Sequence, residues 1–400
     1  MNMPSQHGSG RPVERARRRR DCQPNFRPSF QPSFRQTIPL AFWQAFLPAL
    51  LAALLAALVL SACGQRQAPV DPQVYQSRFL ALGTLVDVNL WGVDEDLGAR
   101  AVRAVEEELD RFHRQWHAWR PGPLTELNRR LAAGETVPVS SERLTLLRRA
   151  RDLSLRSGGL FDPAIGGLVR LWGFHNDDRP NGPPPAAAAI RDFLARRPTM
   201  EDLVLEAAAD GASGRVRSTN PALQLDLGGF AKGSAVDRAV ERLLALGVRN
   251  AIVNAGGDLR AVGSHGDRPW RIGIRDPRGP GIIAALETRG DESVFTSGNY
   301  ERFFEYQGVR YHHILDPRTG YPAAGTLSVT VIHHDAATAD AAATALFVAG
   351  PQGWRAVARQ MGIEQVMLID EDGRIHVTPA MNQRLIFQSE PLPEVIETPL

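Results

Sequence analysis

The stretch "LDLGGFAKGSAVD" (225–237) places three glycines, Gly228, Gly229 and Gly233, around Lys232. An apolar run precedes it and helical spacing follows, so it predicts a turn from a strand into a helix. Such a turn aims backbone N–H groups at an anion. The spacing matches neither the G-x-G-x-x-G dinucleotide turn nor the Walker loop. A tight strand-to-helix turn without any ligand is the alternative.

Lys232 is the only lysine of the chain, which contains 45 arginines. Because nearly every other basic position is arginine, a retained lysine indicates that a compact ammonium group is needed here. We therefore predict that Lys232 belongs to the anion site. Retention of this one lysine by chance is the alternative.

A second candidate lies in "ATADAAATALFVAG" (337–350), where Asp340 and Thr344 are four residues apart. On a helix these two side chains share one face. A carboxylate and a hydroxyl supply oxygen ligands, which suit a hard cation such as Mg²⁺ better than zinc. The alternative is that Asp340 only favours the first turn of the helix and Thr344 only packs.

The third candidate is the histidine pair His312 and His313 in "FTSGNYERFFEYQGVRYHHILDPRTGYP" (295–322). Neighbours in a strand face opposite sides, so at most one of them points into a common site. Asp316 follows closely and could fix a histidine ring or bind a cation. A structural role for the pair is the alternative.

An anion-binding turn, a histidine base and oxygen ligands for Mg²⁺ together suit the cleavage of a pyrophosphate.

The N-terminus indicates export. Six arginines in "RPVERARRRR" (11–20) precede an apolar run over 38–62, which ends in Leu60-Ser61-Ala62-Cys63. This order is typical of a signal peptide, and small residues before a cysteine resemble a bacterial lipobox. We predict that residues 1–63 are the lipoprotein signal and that Cys63 is lipidated. An uncleaved membrane anchor is the alternative. Either way, the body is expected on the periplasmic side of the cell membrane.

Composition excludes some function classes. The first 63 residues hold eight of the 46 basic and two of the 44 acidic residues, so 38 and 42 remain, a formal charge of −4. This balance does not support nucleic-acid binding, which uses concentrated positive charge. The two cysteines, Cys22 and Cys63, fall within the predicted signal. The remaining chain therefore has no disulfide and must fold around an ordinary core.

Strands and helices without strict alternation favour an α+β fold with mixed or antiparallel sheets and flanking helices. Residues 64–76 are predicted as a linker and 389–400 as a flexible tail. Proline-rich residues 176–185 predict a loop before a short alanine-rich helix. The predicted strands are 79–92, 203–207, 222–227, 250–254, 270–274, 293–296 and 327–332, and the other predicted helices are 94–114, 141–157, 230–246, 337–349 and 351–361.

Seven motifs occur in a fixed order along the chain. They are "LGT" (82–84), "FDPAIGGLVRLWGF" (161–174), "LDLGGFAKGSAVDRA" (225–239), "VNAGGDLRAVG" (253–263), "TSGNYERFF" (296–304), "HHILDPRTGYP" (312–322) and "ADAAATALFVAG" (339–350). With them the chain resembles the ApbE family, the FAD:protein FMN transferases, over residues 79–370. The resemblance implies an ApbE-like, T-fold-related domain over 77–388.

The resemblance also implies an activity. Such enzymes bind FAD with Mg²⁺, transfer FMN to a threonine or serine hydroxyl of a partner protein and release AMP. The acceptor would be a subunit of a membrane redox complex. Two other functions stay open, namely hydrolysis of FAD to FMN and AMP, and flavin binding without catalysis. Binding alone needs no base, so the histidine argues against pure storage.

Site residues follow from the resemblance. It implies that Asp340, Thr344 and the backbone carbonyl of Ala231 hold Mg²⁺, that Lys232 lies close to the phosphates, and that His313 is the base, although His312 could exchange roles with it. The resemblance places Trp119, in "HAWRPGPLTELN" (117–128), against the flavin ring, with core packing as the alternative. The other residues expected around the cofactor are Asp162, Asp226, Gly228, Gly229, Asp258, Thr296, Ser297 and His312.

Overall fold

The computed structural model describes residues 74–176, 180–209, 211–388 and 393–400. The strands of these residues are β1 (Val74–Ala81), β2 (Thr84–Trp91), β3 (Val137–Ser140), β4 (Leu203–Ala207), β5 (Ser213–Ser218), β6 (Ala251–Ala255), β7 (Asp258–Val262), β8 (Arg271–Arg275), β9 (Ile282–Glu287), β10 (Glu292–Gly298), β11 (Phe303–Tyr306), β12 (Val309–His312), β13 (Thr326–His333), β14 (Gln365–Asp370), β15 (Ile375–Val377), β16 (Ile386–Phe387) and β17 (Val395–Glu397). The helices are α1 (Glu95–Trp116), α2 (Pro123–Ala132), α3 (Ser141–Arg156), α4 (Gly166–Leu171), α5 (Ala187–Arg196), α6 (Gly228–Ala245), α7 (Ala336–Met361) and α8 (Pro379–Asn382).

A nine-stranded sheet is the centre of the fold, with the order β1-β2-β6-β7-β10-β13-β14-β15-β17. Its neighbouring strands run antiparallel, apart from the parallel pair β15 and β17. Smaller sheets have the orders β3-β5-β4, β16-β9-β8 and β11-β12. This architecture confirms the α+β prediction with its flanking helices.

The two faces of the large sheet bury different cores. On β6, β10 and β13, residues such as Val253, Phe295 and Val331 lie in the main core with α1, α6 and α7, while Val294 and Ile332 face the small sheet of β8, β9 and β16. This follows from the strand period of two residues. Each fully buried side chain of this kind contributes about 1.5–3 kcal/mol to stability. The resulting layers hold α6 and α7 firmly against the sheet.

The predicted single strand over 79–92 is wrong, because the chain folds there into the hairpin β1–β2. Its turn is Leu82-Gly83, with φ values of 53° and 74°. A positive φ at both central residues matches the right-handed twist of the paired strands. Leucine rarely adopts this conformation, so the sequence contains no turn signal. Strand β1 begins at Val74, inside the predicted linker.

The predicted strand over 222–227 is also wrong, since only an isolated parallel bridge joins Gln224 to Ile165. A side chain takes the place of a neighbouring strand. The Asn128 amide donates from Nδ2 to the Leu225 carbonyl (2.9 Å) and accepts at Oδ1 from the Leu225 N–H (2.8 Å). The backbone is therefore satisfied without a ladder.

The predicted helices agree with the structure, including the division at residue 350. Helix α7 is interrupted at Gly350 (φ 67°, ψ 179°), and Pro351 follows. Proline cannot donate to the preceding turn, and glycine tolerates the reversed φ. The break therefore ends the first half of α7, which contains Asp340 and Thr344.

The ends of the chain fit the predictions only in part. Residues 395–397 of the predicted loose tail form β17, which pairs with β15 and corrects that prediction. The signal segment, Cys63 and most of the linker lie outside the described residues. None of the described helices combines the length and the apolar character needed to cross a membrane.

Candidate active site

The glycine turn opens helix α6 and faces α7. The N–H of Ala231 donates to the Leu227 carbonyl (2.7 Å), which starts the helix. A Cβ on Gly229 would come within 3.0 Å of Thr344 Oγ1. The absence of a side chain at Gly229 thus lets the first turn of α6 approach the hydroxyl of α7. Gly228 is exposed at the mouth of the turn.

Asp340 is held directly by α6. The Gly233 N–H donates to Asp340 Oδ2 (2.8 Å). A Cβ on Gly233 would stand 2.3 Å from the Ala336 carbonyl oxygen, so only glycine permits this contact. The two helices therefore touch backbone to backbone where Asp340 meets the turn that contains Ala231 and Lys232.

The environment of Asp340 favours a bound cation. Its carboxyl group is buried, and burial together with the nearby charge of Asp258 raises its pKa to about 7. Thr344, one turn further along α7, has its Oγ1 3.4 Å from Ser297 Oγ. A positive ion beside these oxygens would restore the ionised carboxylate. The donor chemistry thus fits a hard cation such as Mg²⁺.

The donor set for such a cation would be sparse. Among the described residues, no three His, Cys, Asp or Glu side chains converge on a point where they could hold a metal ion. Asp340, Thr344 and the Ala231 carbonyl would leave several positions for water or phosphate oxygens. Mg²⁺ is commonly bound in this way, with few protein ligands.

Lys232 forms an ion pair beside the Asp340 carboxyl. Its Nζ lies 2.7 Å from Asp258 Oδ2, and the Thr296 N–H donates to Asp258 Oδ1 (2.8 Å). The negative charge of Asp258 raises the pKa of Lys232, outweighing burial. Lys232 therefore stays an ammonium ion near neutral pH, which excludes it as a general base and leaves it an electrostatic role.

The two histidines differ in what their rings contact. His312 is buried; its Nε2 lies 2.8 Å from the Ala323 carbonyl oxygen, and its Nδ1 accepts the Ile314 N–H (3.3 Å). Both ring nitrogens are used within the fold, which favours a structural role for His312, and its contact with a cofactor stays a prediction. Asp316 binds Arg318 through its carboxylate and not a histidine.

His313 is the histidine with a nitrogen available. Its Nδ1 lies 3.2 Å from the Arg302 carbonyl oxygen. A carbonyl only accepts, so Nδ1 carries the proton and Nε2 keeps its lone pair. Burial, followed by the charge of Arg302, lowers the pKa of His313 to about 3. The ring is neutral at physiological pH, as a base must be before it accepts a proton.

Trp119 lies at the edge of the core, where its indole N–H is hydrogen-bonded to a carboxylate. Its Nε1 donates to Asp226 Oδ2 (3.1 Å), and the Gly228 N–H donates to Asp226 Oδ1 (2.8 Å). The Arg170 guanidinium stands 5.4 Å from the centroid of the half-buried ring. Asp226 thus joins the predicted flavin-stacking residue to the glycine turn.

Two predicted cofactor residues make mainly internal contacts. Asp162 is buried and accepts the Ala164 N–H at Oδ1 (2.9 Å), and burial raises its pKa to about 7. Thr296 Oγ1 lies 2.9 Å from Thr330 Oγ1 of β13. The Asp162 contact holds the turn at 162–164 and the Thr296 contact joins β10 to β13, and corresponding ligand contacts remain predictions.

Comparison with known proteins assigns the family. The family model described as the ApbE family matches residues 82–367. The chain belongs to the ApbE family. A Rhodobacter capsulatus relative named "FAD:protein FMN transferase" is 46% identical over 310 residues, which are 77% of this chain and 57% of the relative. The chain therefore spans little more than half the length of that protein. A Treponema pallidum relative of the same name is 38% identical over 64% of this chain and 72% of its own.

Solved ApbE structures share the fold. The crystal structure of an ApbE protein from Thermotoga maritima superposes with a TM-score of 0.70 at 35% identity, covering 80% of this chain and all of that one. The apo form of the flavinyl transferase ApbE from Pseudomonas stutzeri gives 0.67 at 31% identity, over 78% and 96%. These matches confirm the ApbE-like architecture predicted from the motifs.

Three residues that shape this ApbE site carry no clear signal in the sequence. Asn128 holds the segment before the glycine turn, Arg302 contacts His313 through its carbonyl, and Asp237 binds the start of α7. Asn128 and Asp237 act on backbone about a hundred residues away along the chain. All three lie within segments singled out in the sequence, but no local pattern there shows which residue each of them contacts.

Proposed function

We propose that this protein transfers FMN from FAD to a threonine or serine hydroxyl of a partner protein and releases AMP, with Mg²⁺ as cofactor. The observation that carries the proposal is the direct bond from Gly233 N–H to the buried carboxyl of Asp340, which brings the glycine turn and the oxygen donors of α7 into one site. The names of the ApbE relatives support the choice of substrate and reaction.

Asp340, Thr344 and the Ala231 carbonyl would hold the cation. When bound, Mg²⁺ supplies positive charge that stabilises the diphosphate oxygens as negative charge develops on them. The ammonium group of Lys232 would add to that stabilisation. Asp258 keeps Lys232 oriented through the 2.7 Å ion pair.

His313 would accept the proton of the attacking hydroxyl at Nε2. The acceptor oxygen forms a bond to the FMN phosphorus as the bond from that phosphorus to the bridging oxygen breaks, and AMP leaves with that oxygen. The low pKa of His313 makes it a weak base in the empty site. The negative charge of a bound diphosphate would raise that pKa toward the working range.

The test uses the purified full chain with FAD and Mg²⁺, an acceptor domain that carries a flavinylation threonine, and a Thr→Val acceptor as control. We expect flavin fluorescence on the threonine acceptor in a denaturing gel and one AMP released per flavin attached. AMP release that does not depend on the acceptor would assign FAD hydrolysis, and FAD binding without AMP release would assign storage. Asp340→Ala is expected to lower transfer by at least about 100-fold.

We also propose that the protein acts at the periplasmic face of the cell membrane, anchored through a lipid on Cys63, on a subunit of a membrane redox complex. The lipobox-like sequence before Cys63 supports the anchor. Lipid labelling of cells that produce the full chain, compared with Cys63→Ala, tests it. Release of the unmodified wild-type protein into the soluble periplasmic fraction would contradict the anchor.

A further inference from the structure

Asp237 binds the start of α7 from the side. This buried α6 residue lies one helical turn after Gly233. Its Oδ1 accepts the Ala336 N–H (3.0 Å) and its Oδ2 accepts the Ala337 N–H (3.1 Å). The first N–H groups of a helix have no partner within the helix. A carboxylate from α6 therefore completes the N-terminus of α7.

The N-cap residue of α7 leaves the first two N–H groups of the helix for Asp237. Asp335 precedes the helix and accepts the Thr338 N–H (2.7 Å), so it satisfies the third N–H of α7. Asp237 satisfies the two before it. The N-terminus of α7 thus depends on one carboxylate from its own chain segment and one from α6.

Two contacts, one turn apart, fix α7 against α6. The Gly233 N–H holds the Asp340 carboxyl, and the Asp237 carboxylate holds the turn of α7 just before Asp340. The proposed cation ligands come from both helices, with the Ala231 carbonyl on α6 and Asp340 and Thr344 on α7. The distance between the helices therefore sets the distance between the ligands.

Charged groups hold Asp237 in place. Arg260, from β7, lies with Nη1 2.7 Å from Asp237 Oδ1 and with Nη2 2.8 Å from Asp291. Arg149, from α3, binds Asp335 and lies 3.6 Å from Asp237 Oδ2. Asp237 is thus oriented by arginines from two elements, β7 and α3, as well as by the helix N–H groups that it accepts.

We infer that Asp237 is a positioning residue for the divalent cation, acting by holding the first turn of α7 at the distance from α6 that the ligands require. The inference rests on the proposed function, because it assumes the cation site of Asp340 and Thr344. Residues that orient metal ligands typically change metal affinity by about 10- to 100-fold when they are replaced.

The test measures Mn²⁺ binding to the full chain by electron paramagnetic resonance of the free ion, and thermal unfolding in parallel. Asp237→Asn keeps the size of the side chain, but an NH₂ group, which only donates, replaces the oxygen that accepts one of the two N–H groups. We expect its dissociation constant for Mn²⁺ to rise about 10- to 100-fold. In the transfer assay, saturating Mg²⁺ should restore most of kcat, because the ligands themselves remain.

Asp291→Asn is the matched control. Asp291 binds the other side of Arg260 and is half exposed, yet it does not touch α7. We expect its Mn²⁺ affinity to stay within about twofold of the wild type. If Asp237→Asn does not fold, Asp237→Ser, which keeps an acceptor oxygen, is measured against the same criteria.

Wild-type Mn²⁺ affinity in a folded Asp237 variant would overturn the inference. An equal loss of Mn²⁺ affinity in Asp291→Asn would also overturn it, because the cause would then be the charge of the ion pairs around Arg260 and not the contact with α7. Asp340→Ala separates this failure from that of the proposed function. If Asp340→Ala loses Mn²⁺ while the Asp237 variant keeps it, only the positioning role fails. If Asp340→Ala leaves Mn²⁺ affinity unchanged, the cation site itself fails.

Discussion

At the scale of single residues, the site depends on the burial of the Asp340 carboxyl group near the carboxylate of Asp258. Asp340 would be an ordinary surface acid if it were exposed, but burial and the charge of Asp258 raise its pKa to about 7. The positive charge of Lys232, whose Nζ lies 2.7 Å from Asp258 Oδ2, lowers the pKa of Asp340 and so partly offsets this rise. A group that is easily protonated when empty and ionised beside a cation makes ion binding depend on pH.

Cation affinity should therefore fall in mild acid. Below about pH 7 the folded, metal-free protein holds a proton on Asp340 that must leave when the ion binds. The dissociation constant for Mn²⁺ is expected to rise up to about tenfold per pH unit between pH 7 and pH 5.5, and to level off above pH 8. Mn²⁺ titrations across this range check it. A pH-independent affinity would contradict the protonated state of Asp340.

The neighbouring histidines provide an internal pair for comparison. His313→Ala is expected to lower transfer by about 10²- to 10⁴-fold and to cost less stability than His312→Ala, because the Arg302 carbonyl keeps the His313 backbone N–H as a donor. His312→Ala is expected instead to destabilise the protein by about 1–3 kcal/mol, since it leaves the Ala323 carbonyl without its partner. Transfer assays and thermal unfolding of both variants test this. The reverse pattern would exchange their roles.

At the scale of elements, the contact of α6 with α7 is the feature on which the site depends. Gly233→Ala would place a methyl group 2.3 Å from the Ala336 carbonyl oxygen. We expect a loss of about 1–3 kcal/mol in the free energy of unfolding, as in other overpacked contacts, together with weaker Mn²⁺ binding. Urea unfolding and Mn²⁺ titration measure the two effects.

Gly353→Ala is the control for that variant. Gly353 also lies within a helix, but a Cβ there would meet only the Ala349 methyl at 3.4 Å. Alanine has the higher helix propensity, so this variant should be neutral or more stable by up to about 1 kcal/mol. Equal destabilisation of both variants would mean that close helix contact at Gly233 is not the cause.

Local patterns in the sequence predicted the long helices α1, α3, α6 and α7 and five of the strands, while many of the short strands were not predicted. The spacing of Asp340 and Thr344 and the clustered glycines needed only helical geometry to be brought together. The hairpin at Leu82 was missed because a non-glycine residue adopts the positive φ. The strand over 222–227 was wrong because Asn128 supplies its hydrogen bonds, and such a partner 97 residues away leaves no local trace. Asp237 was missed for the same reason.

At the scale of the whole molecule, the C-terminal segment belongs to the central sheet. Strand β17 pairs with β15, and the Thr398 N–H donates to the Val377 carbonyl (2.8 Å). A chain that ends at residue 388 should lose about 1–3 kcal/mol of stability with these hydrogen bonds, yet still bind FAD, since the glycine turn is unaffected. Thermal unfolding and flavin titration check both. An unchanged unfolding temperature would support the original prediction that residues 389–400 are a flexible tail.

The first half of α7 is unusually slender. Seven of the ten residues from Ala336 to Ala345 are alanine, and all seven are buried. Neighbouring segments therefore reach the main chain of this helix across a single layer of methyl groups. In a saturation library we expect this decapeptide to reject enlarged side chains at nearly every position, so substitutions on this helix could hardly reshape the proposed cation site.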